Sequence, residues 1–517
     1  MAFSIAGTIR SQAKRRPGAT AITFQDAPIT YRELDDRSSR VAQGLTDSGV
    51  GERDRIAFLD KNCPEYFETL FGGAKLNAVD VAVNWRLAAP EIKYTVNDAQ
   101  ARVLFVGEEF TSAIDDIEDQ LETVQKIVVL GKHPKYESYE DWIGRYEAVD
   151  PGVESTPDDV AFQLYTSGTT GLPKGAMLTN SNMEVLMEKA VPLWGFRPDA
   201  VSLVVMPLFH IAGSGWAFAG IYSGCHNVVL REVDPAEILA VMPRYGVTTT
   251  IFVPAVLQFL LQVPSIGDVD FSTLECILYG ASPISEDVLR RAMSTFGCTF
   301  VQGYGLTETT GAIVSLGAED HDPDRRPELL RSAGKPWPWV ELRIVDPSGT
   351  DVDDGAVGEI WTRSAQNMKG YWNMPEATAD VITPDGWLRT GDAGYMKDGY
   401  LYLYDRVKDM IVSGGENVYP AEIENVLMSH PDVADVAVVG VPDDKWGEAV
   451  KAVVVRRERS DVSEAALTAF ARERLAGYKC PKSIDFVAGP LPRNPSGKLL
   501  KRILREPYWQ GQERRIH

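Results

Sequence analysis

From Ala21 to Gly305 the sequence alternates between short β-branched runs and helical patterns, and this alternation restricts the fold more than any other feature. AITF (21–24) precedes TYRELDDRSSRVAQGL (30–45), which opens on a capping Thr; DRIAFL (54–59) precedes EYFETLFGGAKL (65–76); VDVAV and ARVLFV follow. Strands that alternate with helices pair in parallel through crossover connections. VSLVVMPL, NVVLRE, TTTIFV, ECILYG and CTFVQGYG form a second series, separated by helical segments such as PAEILAVMPRYG and SEDVLRRAMSTFG. An α/β multi-domain chain is expected, with two α/β layered subdomains in a large N-terminal region. From about Gly334 short strands lie between Gly, Pro and Asp turns, as in VELRIVDPSGTDVDDGAVGEIWTR, which predicts a small β-barrel-like unit. Beyond Asp405-Arg406-Val407-Lys408 a hairpin, the helix AEIENVLMSH, the strands VADVAVVG and EAVKAVVVR and the helix SEAALTAFARERLAG predict a small α+β domain. The boundaries expected are 1–404 and 409–517, joined by 405–408.

A chain of 517 residues is too long for one core to serve, and 44% hydrophobic with 24% charged residues is an ordinary globular balance. The net charge of −21 argues against nucleic acid or an anionic membrane as the main partner. All of the excess acid lies before Asp409: from there to the end sixteen Lys and Arg balance sixteen Asp and Glu. Basic clusters on that neutral tail (Arg456, Arg457, Arg459; Lys498, Lys501, Arg502) suit either a polyanionic ligand or plain solvated surface. The first residues contain no apolar run of signal-peptide type, and no stretch reaches eighteen consecutive apolar residues, so a cytoplasmic protein without an integral membrane segment is expected. A homodimer stays open. Five scattered cysteines without a CxxC pair read as reduced core thiols, and the six histidines make no metal-ligand spacing.

The strongest local signal is Tyr165-Thr-Ser-Gly-Thr-Thr-Gly-Leu-Pro-Lys-Gly175, after the strand-like run DVAFQL. Small residues let backbone N–H groups approach phosphate oxygens, hydroxyls add donors, and Lys174 adds charge. It is not a Walker loop, because Gly175 and Ala176 follow the lysine where Ser or Thr is required. A Gly/Ser/Thr turn without a ligand has the same composition.

The loop resembles the signature of the adenylate-forming superfamily, which includes acyl-CoA synthetases, firefly luciferase and peptide-synthetase adenylation domains. Further pieces recur in order: Tyr304-Gly-Leu-Thr-Glu308, Thr390-Gly-Asp392, Tyr404-Asp-Arg-Val-Lys-Asp409, Ser413-Gly-Gly-Glu-Asn-Val-Tyr-Pro420 and Pro492-Arg-Asn-Pro-Ser-Gly-Lys498. The whole is most similar to fatty acyl-CoA synthetases and 4-coumarate-CoA ligases. The resemblance implies ATP, Mg2+ and, as co-substrate, coenzyme A. Thr166, Ser167, Gly168, Thr169, Thr170 and Lys174 would then cradle the phosphates. Glu308 would hold the metal, with Thr307 at the α-phosphate. Tyr304 with Gly303 and the turn Gly280-Ala281-Ser282 would border adenine, and Asp392 and Arg406 the ribose. Lys498 would bridge the acid's carboxylate and the α-phosphate, Gly414 and Gly415 would pass the CoA arm, and Lys408 would be the hinge of a mobile C-terminal domain. A helix start at Thr307-Glu308, a core Tyr304 and solvated Lys498 are the alternatives that composition alone leaves.

Phe209-His-Ile-Ala-Gly-Ser-Gly-Trp-Ala-Phe-Ala-Gly-Ile-Tyr-Ser223 has no acidic residue where amino-acid-activating relatives carry an aspartate; His210 stands there and resembles a gate. An uncharged acid is favoured, since a buried ammonium without a partner is costly. Ala212, Gly213, Gly215, Gly303, Gly311 and Ala312 would leave room for the acyl group and Trp216 would cap it, which leaves fatty, aryl and alicyclic acids open. So do three functions: transfer to CoA, transfer to an amine, and nucleotide binding without catalysis. The last is disfavoured because Lys498, Glu308 and Asp392 are all present.

Overall fold

The computed structural model describes residues 3–167, 172–282, 284–406, 409–413, 416–443, 446–493 and 499–510. Two large sheets carry the N-terminal region. An eight-stranded sheet runs, in spatial order, Gly370–Tyr371, Pro173–Thr179, Val160–Ser167, Val79–Ala82, Arg55–Leu59, Ala101–Gly107, Lys126–Leu130 and Glu137–Ser138, parallel from Val160–Ser167 onward. A nine-stranded sheet runs Lys335–Pro336, Gly311–Leu316, Thr299–Leu306, Cys276–Gly280, Thr249–Phe252, Val201–Val204, His226–Val229, Thr20–Phe24 and Ala27–Thr30. Its centre is parallel, as the alternating series predicts. AITF departs from its neighbours in sequence: Thr20–Phe24 pairs with His226–Val229, so the first strand joins the second layer and ties the two together.

Local chemistry starts and stops the helices between these strands. Thr30 and Glu33 form a reciprocal capping box at the head of Tyr31–Asp47. Ser285 caps Glu286–Phe296, and Gly297 ends it at φ +62°. One continuous core includes Phe67, Phe71, Phe162 and Phe218, so the two α/β layers share an interior.

The β-rich unit is a four-stranded antiparallel sheet of Glu341–Val345, Gly358–Arg363, Leu388–Lys397 and Tyr400–Arg406. Beyond it, the expected hairpin forms from Ile411–Ser413 and Glu416–Val418. It joins a sheet with Gly447–Arg456, Val433–Asp443 and Ser483–Val487, and a core of Ile411, Ile423, Leu427, Val436, Val450 and Leu467 belongs to this C-terminal part alone. The five cysteines are unbridged and four are buried. No helix among the described residues is long and apolar enough to cross a membrane.

Candidate active site

The phosphate-loop motif is a hairpin. Val160–Ser167 and Pro173–Thr179 pair antiparallel, with Thr166 opposite Lys174 and Ser167 opposite Pro173. The hairpin is braced from behind. Tyr165 Oη donates to Asp98 at 2.6 Å, Trp372 Nε1 donates to the Asp98 carbonyl at 3.0 Å, and the Arg55 guanidinium lies 3.3 Å from the Trp372 ring centre. Burial pushes the Asp98 carboxyl up and the Arg55 guanidinium down to about 10.

Glu308 closes the front of this hairpin. It sits in the one-turn helix Thr307–Thr309 after the strand Thr299–Leu306, and its Oε1 accepts from Thr166 Oγ1 at 3.1 Å and Tyr371 Oη at 2.9 Å. The Lys174 ammonium stands 5.1 Å from the Tyr371 ring centre. A carboxylate, two hydroxyls and an ammonium from three segments distant in sequence thus meet at one point.

The strand that delivers Glu308 runs beside Cys276–Gly280, with Gly280 opposite Gly303. A Cβ on Gly280 would lie 2.1 Å from the Gly303 carbonyl oxygen, so this approach requires glycine. Ala281 follows in a left-handed conformation at φ +65°, a strain for a non-glycine residue. Tyr304 is buried and its Oη donates to Asp392 at 2.9 Å. Asp392 lies opposite Arg406 in the antiparallel pair Leu388–Lys397 and Tyr400–Arg406, which brings the two expected ribose contacts to neighbouring backbone positions.

Gly280 and Gly303 also line an apolar cavity of about 90 Å³. Ala212, Gly215, Trp216, Gly280, Ala281, Gly303, Gly311 and Ala312 line it, joined by Trp194 and Gly305. Gly213 does not: a Cβ there would lie 2.1 Å from the Pro207 carbonyl oxygen, so this glycine serves close packing of the helix Ile211–Ser223 instead. His210 caps that helix without a side-chain cap bond. Its buried Nε2 has no hydrogen-bond partner among the described residues, and burial, aided by the charge of Arg86, pushes its pKa down to about 4. The imidazole is neutral at physiological pH.

Gly168, Thr169, Thr170, Lys408, Gly414, Gly415 and Lys498 lie outside the described residues, as do the side chains of Ser167 and Arg406. Sequence reasoning missed Tyr371, Asp98, Trp194 and Arg86. Arg86 is exposed, stacks 4.0 Å from the Trp85 ring centre and makes no ion pair among the described residues. No motif marks any of the four; only the pairing of distant segments does.

A cluster of hydroxyls and a carboxylate, joined through one strand to an apolar cavity, suits an enzyme of nucleotide-dependent acid activation. The model of the AMP-binding enzyme family matches residues 9–372, and that of the AMP-binding enzyme C-terminal domain residues 422–498. Fatty acid–[acyl-carrier-protein] ligase ScoC of Streptomyces coeruleorubidus is 39% identical over 99% of this chain and 97% of the relative. Feruloyl-CoA synthase of an Amycolatopsis species is 38% identical, with 96% and 97% covered. The solved structure of amide bond synthetase McbA from Marinactinospora thermotolerans superposes with a TM-score of 0.88 at 30% identity, covering 98% of this chain and all of McbA. The chain belongs to the AMP-binding enzyme family, in the acyl-CoA synthetase subgroup of the adenylate-forming superfamily, and is an AMP-forming acid ligase.

Proposed function

We propose that the protein condenses an uncharged carboxylic acid with ATP to an acyl-adenylate and then transfers the acyl group to the thiol of coenzyme A. In the first step a carboxylate oxygen attacks the α-phosphorus and the bond to pyrophosphate breaks. In the second the thiol sulfur attacks the acyl carbonyl, AMP leaves, and the thiol proton passes to solvent. The observation that carries the reading is Glu308, held by Thr166 and Tyr371 between the phosphate hairpin and the strand whose glycines wall the acid pocket.

Each residue has a part in this scheme. Thr166, Ser167, Gly168, Thr169, Thr170 and Lys174 hold the β- and γ-phosphates, and Thr307 holds the α-phosphate. Tyr304 and Gly280-Ala281-Ser282 border adenine; Asp392 and Arg406 take the ribose hydroxyls. Lys498 holds the attacking carboxylate against the α-phosphate, which is proximity more than acid–base work. His210, neutral and with no partner for its Nε2 among the described residues, separates the acid pocket from the thiol's approach. Gly414 and Gly415 border the thiol's arm.

The donors fit magnesium. Glu308 uses Oε1 for two hydrogen bonds, which leaves carboxylate capacity, and a hard cation taking one protein carboxylate plus phosphate oxygens is the usual magnesium arrangement. Bound there, magnesium supplies neutralisation of the charge on the departing pyrophosphate.

The three relatives named above differ in acceptor, so the acceptor rests on this chain's own surface. Arg86 carries a cation with no ion-pair partner among the described residues, close enough to His210 to depress its pKa. A cation beside His210 suits the phosphates of a phosphopantetheine thiol, as in CoA, better than a free amine. Transfer to an amine stays as the second reading, supported by the likeness to McbA. Product analysis after ATP, magnesium and a test acid, with CoA, a phosphopantetheine-bearing carrier protein or an amine panel, separates them. Acyl-CoA should dominate, and Arg86→Ala should raise KM for CoA while leaving acid-dependent pyrophosphate exchange unchanged. Amide formation faster than thioester formation would overturn the thiol reading.

A further inference from the structure

Two stacked indoles belong to the lining of the acid pocket. Trp216, in the second turn of Ile211–Ser223, and Trp194, the last residue of the short Val191–Trp194 turn, line it and are 3% and 5% exposed. Their rings stack at 6.0 Å with 29° between planes. Trp337 packs behind Trp194 at 6.0 Å, and Phe196 against Trp216 at 4.5 Å. An alkyl chain directed at these rings would have to displace a packed aromatic layer, and interiors resist such insertion.

The remaining lining mixes backbone with apolar side chains, among them Leu186, Ile211, Ile251, Val253 and Leu278. Gly303, Gly305 and Gly311 present backbone from two paired strands, and Ala212 and Gly215 do so from the helix. Glycine backbone together with stacked rings offers faces on which a planar group packs more closely than a coiled alkyl chain. No charged residue lines the pocket.

A second observation is independent of shape. The indole N–H groups of Trp194, Trp216 and Trp337 are all buried without a hydrogen-bond partner among the described residues, whereas neighbouring Trp339 donates to Gln366 at 2.6 Å. An unsatisfied buried donor costs about 1–3 kcal/mol, and native interiors contain few of them. Two of the three are residues that line the pocket. Tyr279, the lining phenol, is already engaged by Gln302 and His321.

We infer that the acid this site takes is ring-bearing, with a planar aryl group between the glycine walls and a hydrogen-bond acceptor oxygen on the ring's far edge for the indoles of Trp194 and Trp216. This rests on the acid-activation reading above and names the substrate class within it.

Tryptophan fluorescence titration of the full chain, in the presence of magnesium and a non-hydrolysable ATP analogue, tests it with three acids. They are 4-methoxycinnamic acid, its oxygen-free isostere 4-ethylcinnamic acid, and decanoic acid. The methoxy acid should bind roughly tenfold more tightly than the ethyl isostere, about the worth of one satisfied buried donor, and decanoic acid more weakly than either. Trp194→Phe and Trp216→Phe, which keep the aromatic wall, should together bring the methoxy-to-ethyl ratio close to one while ethyl binding persists. Equal binding of the two isosteres by the wild-type protein, or tighter binding of decanoic acid, would overturn the inference while leaving acid activation intact. Absence of both binding and acid-dependent pyrophosphate exchange for every acid would overturn the two together.

Discussion

Asp80 shows how much a single buried side chain can reveal. It lies on the Val79–Ala82 strand, 1% exposed, with no hydrogen-bond partner for either carboxylate oxygen among the described residues, and burial pushes its pKa up to about 8. Unfolded, it would titrate near 3.9. Between these values the folded state keeps a proton that the unfolded state releases, so stability is full below about pH 4 and falls as pH rises towards 8, by up to about 1.4 kcal/mol per pH unit. Asp80→Asn should therefore raise Tm, and the gain should grow from pH 5 to pH 8; a gain that stayed constant with pH would mean that Asp80 is not held neutral. The candidate site divides at this same scale into what a sequence shows and what it hides. Thr166, Lys174, Tyr304, Glu308 and Asp392 stand inside motifs whose composition suits phosphate, adenine and ribose, and the fold brings Thr166 and Lys174 towards Glu308 and Tyr371, and Tyr304 to Asp392. Tyr371 and Asp98 sit in no motif: each acts on a residue more than sixty positions away, and only the pairing of Gly370–Tyr371 with Pro173–Thr179 brings Tyr371 to Glu308.

Elements place these side chains, and small residues decide how closely elements meet. In the stretch His210 to Trp216 the sequence marks Ala212, Gly213 and Gly215 alike as small, yet Gly213 packs against the Pro207 carbonyl while its neighbours face the pocket. One-dimensional spacing cannot separate these uses, because both call for the same missing side chain. Substitution separates them. Gly213→Ala should destabilise by about 1–3 kcal/mol through overpacking and lower Tm, without changing the order of acid preference. At Gly303 a Cβ would meet Ala312 at 3.1 Å and Leu278 at 3.7 Å, contacts that a small shift relieves. Gly303→Ala should keep Tm near wild type and raise KM for larger acids before smaller ones; an equal rise for all acids would place Gly303 outside the acyl path. The layered architecture itself was legible, since alternating strand and helix patterns leave few ways to bury their faces. The sheet to which Thr20–Phe24 belongs was not, because a strand's partner two hundred residues away leaves no trace in its own pattern.

At the scale of the molecule, two reactions must share one acyl carbonyl. The C-terminal part has a core of its own, which suits a body that moves as a unit, and we propose that it turns about Lys408 to bring Lys498 in for adenylation and Gly414 and Gly415 in for thioester formation. Lys498→Ala should then lose acid-dependent pyrophosphate exchange yet still convert supplied acyl-AMP, while Lys408→Pro, with its backbone rotation restricted, should do the reverse. Equal loss of both steps in each variant would rule out alternation. Beneath that motion lies the claim that the acid is activated at the α-phosphate. Its most direct test is to supply an acid whose carboxylate carries a heavy oxygen isotope, together with ATP, magnesium and CoA, and to weigh the phosphorus products. Attack by the carboxylate on the α-phosphorus leaves one of its oxygens on AMP when the acyl group departs, so AMP should gain the label and pyrophosphate should not. Label in orthophosphate or pyrophosphate, with AMP unlabelled, would contradict the account.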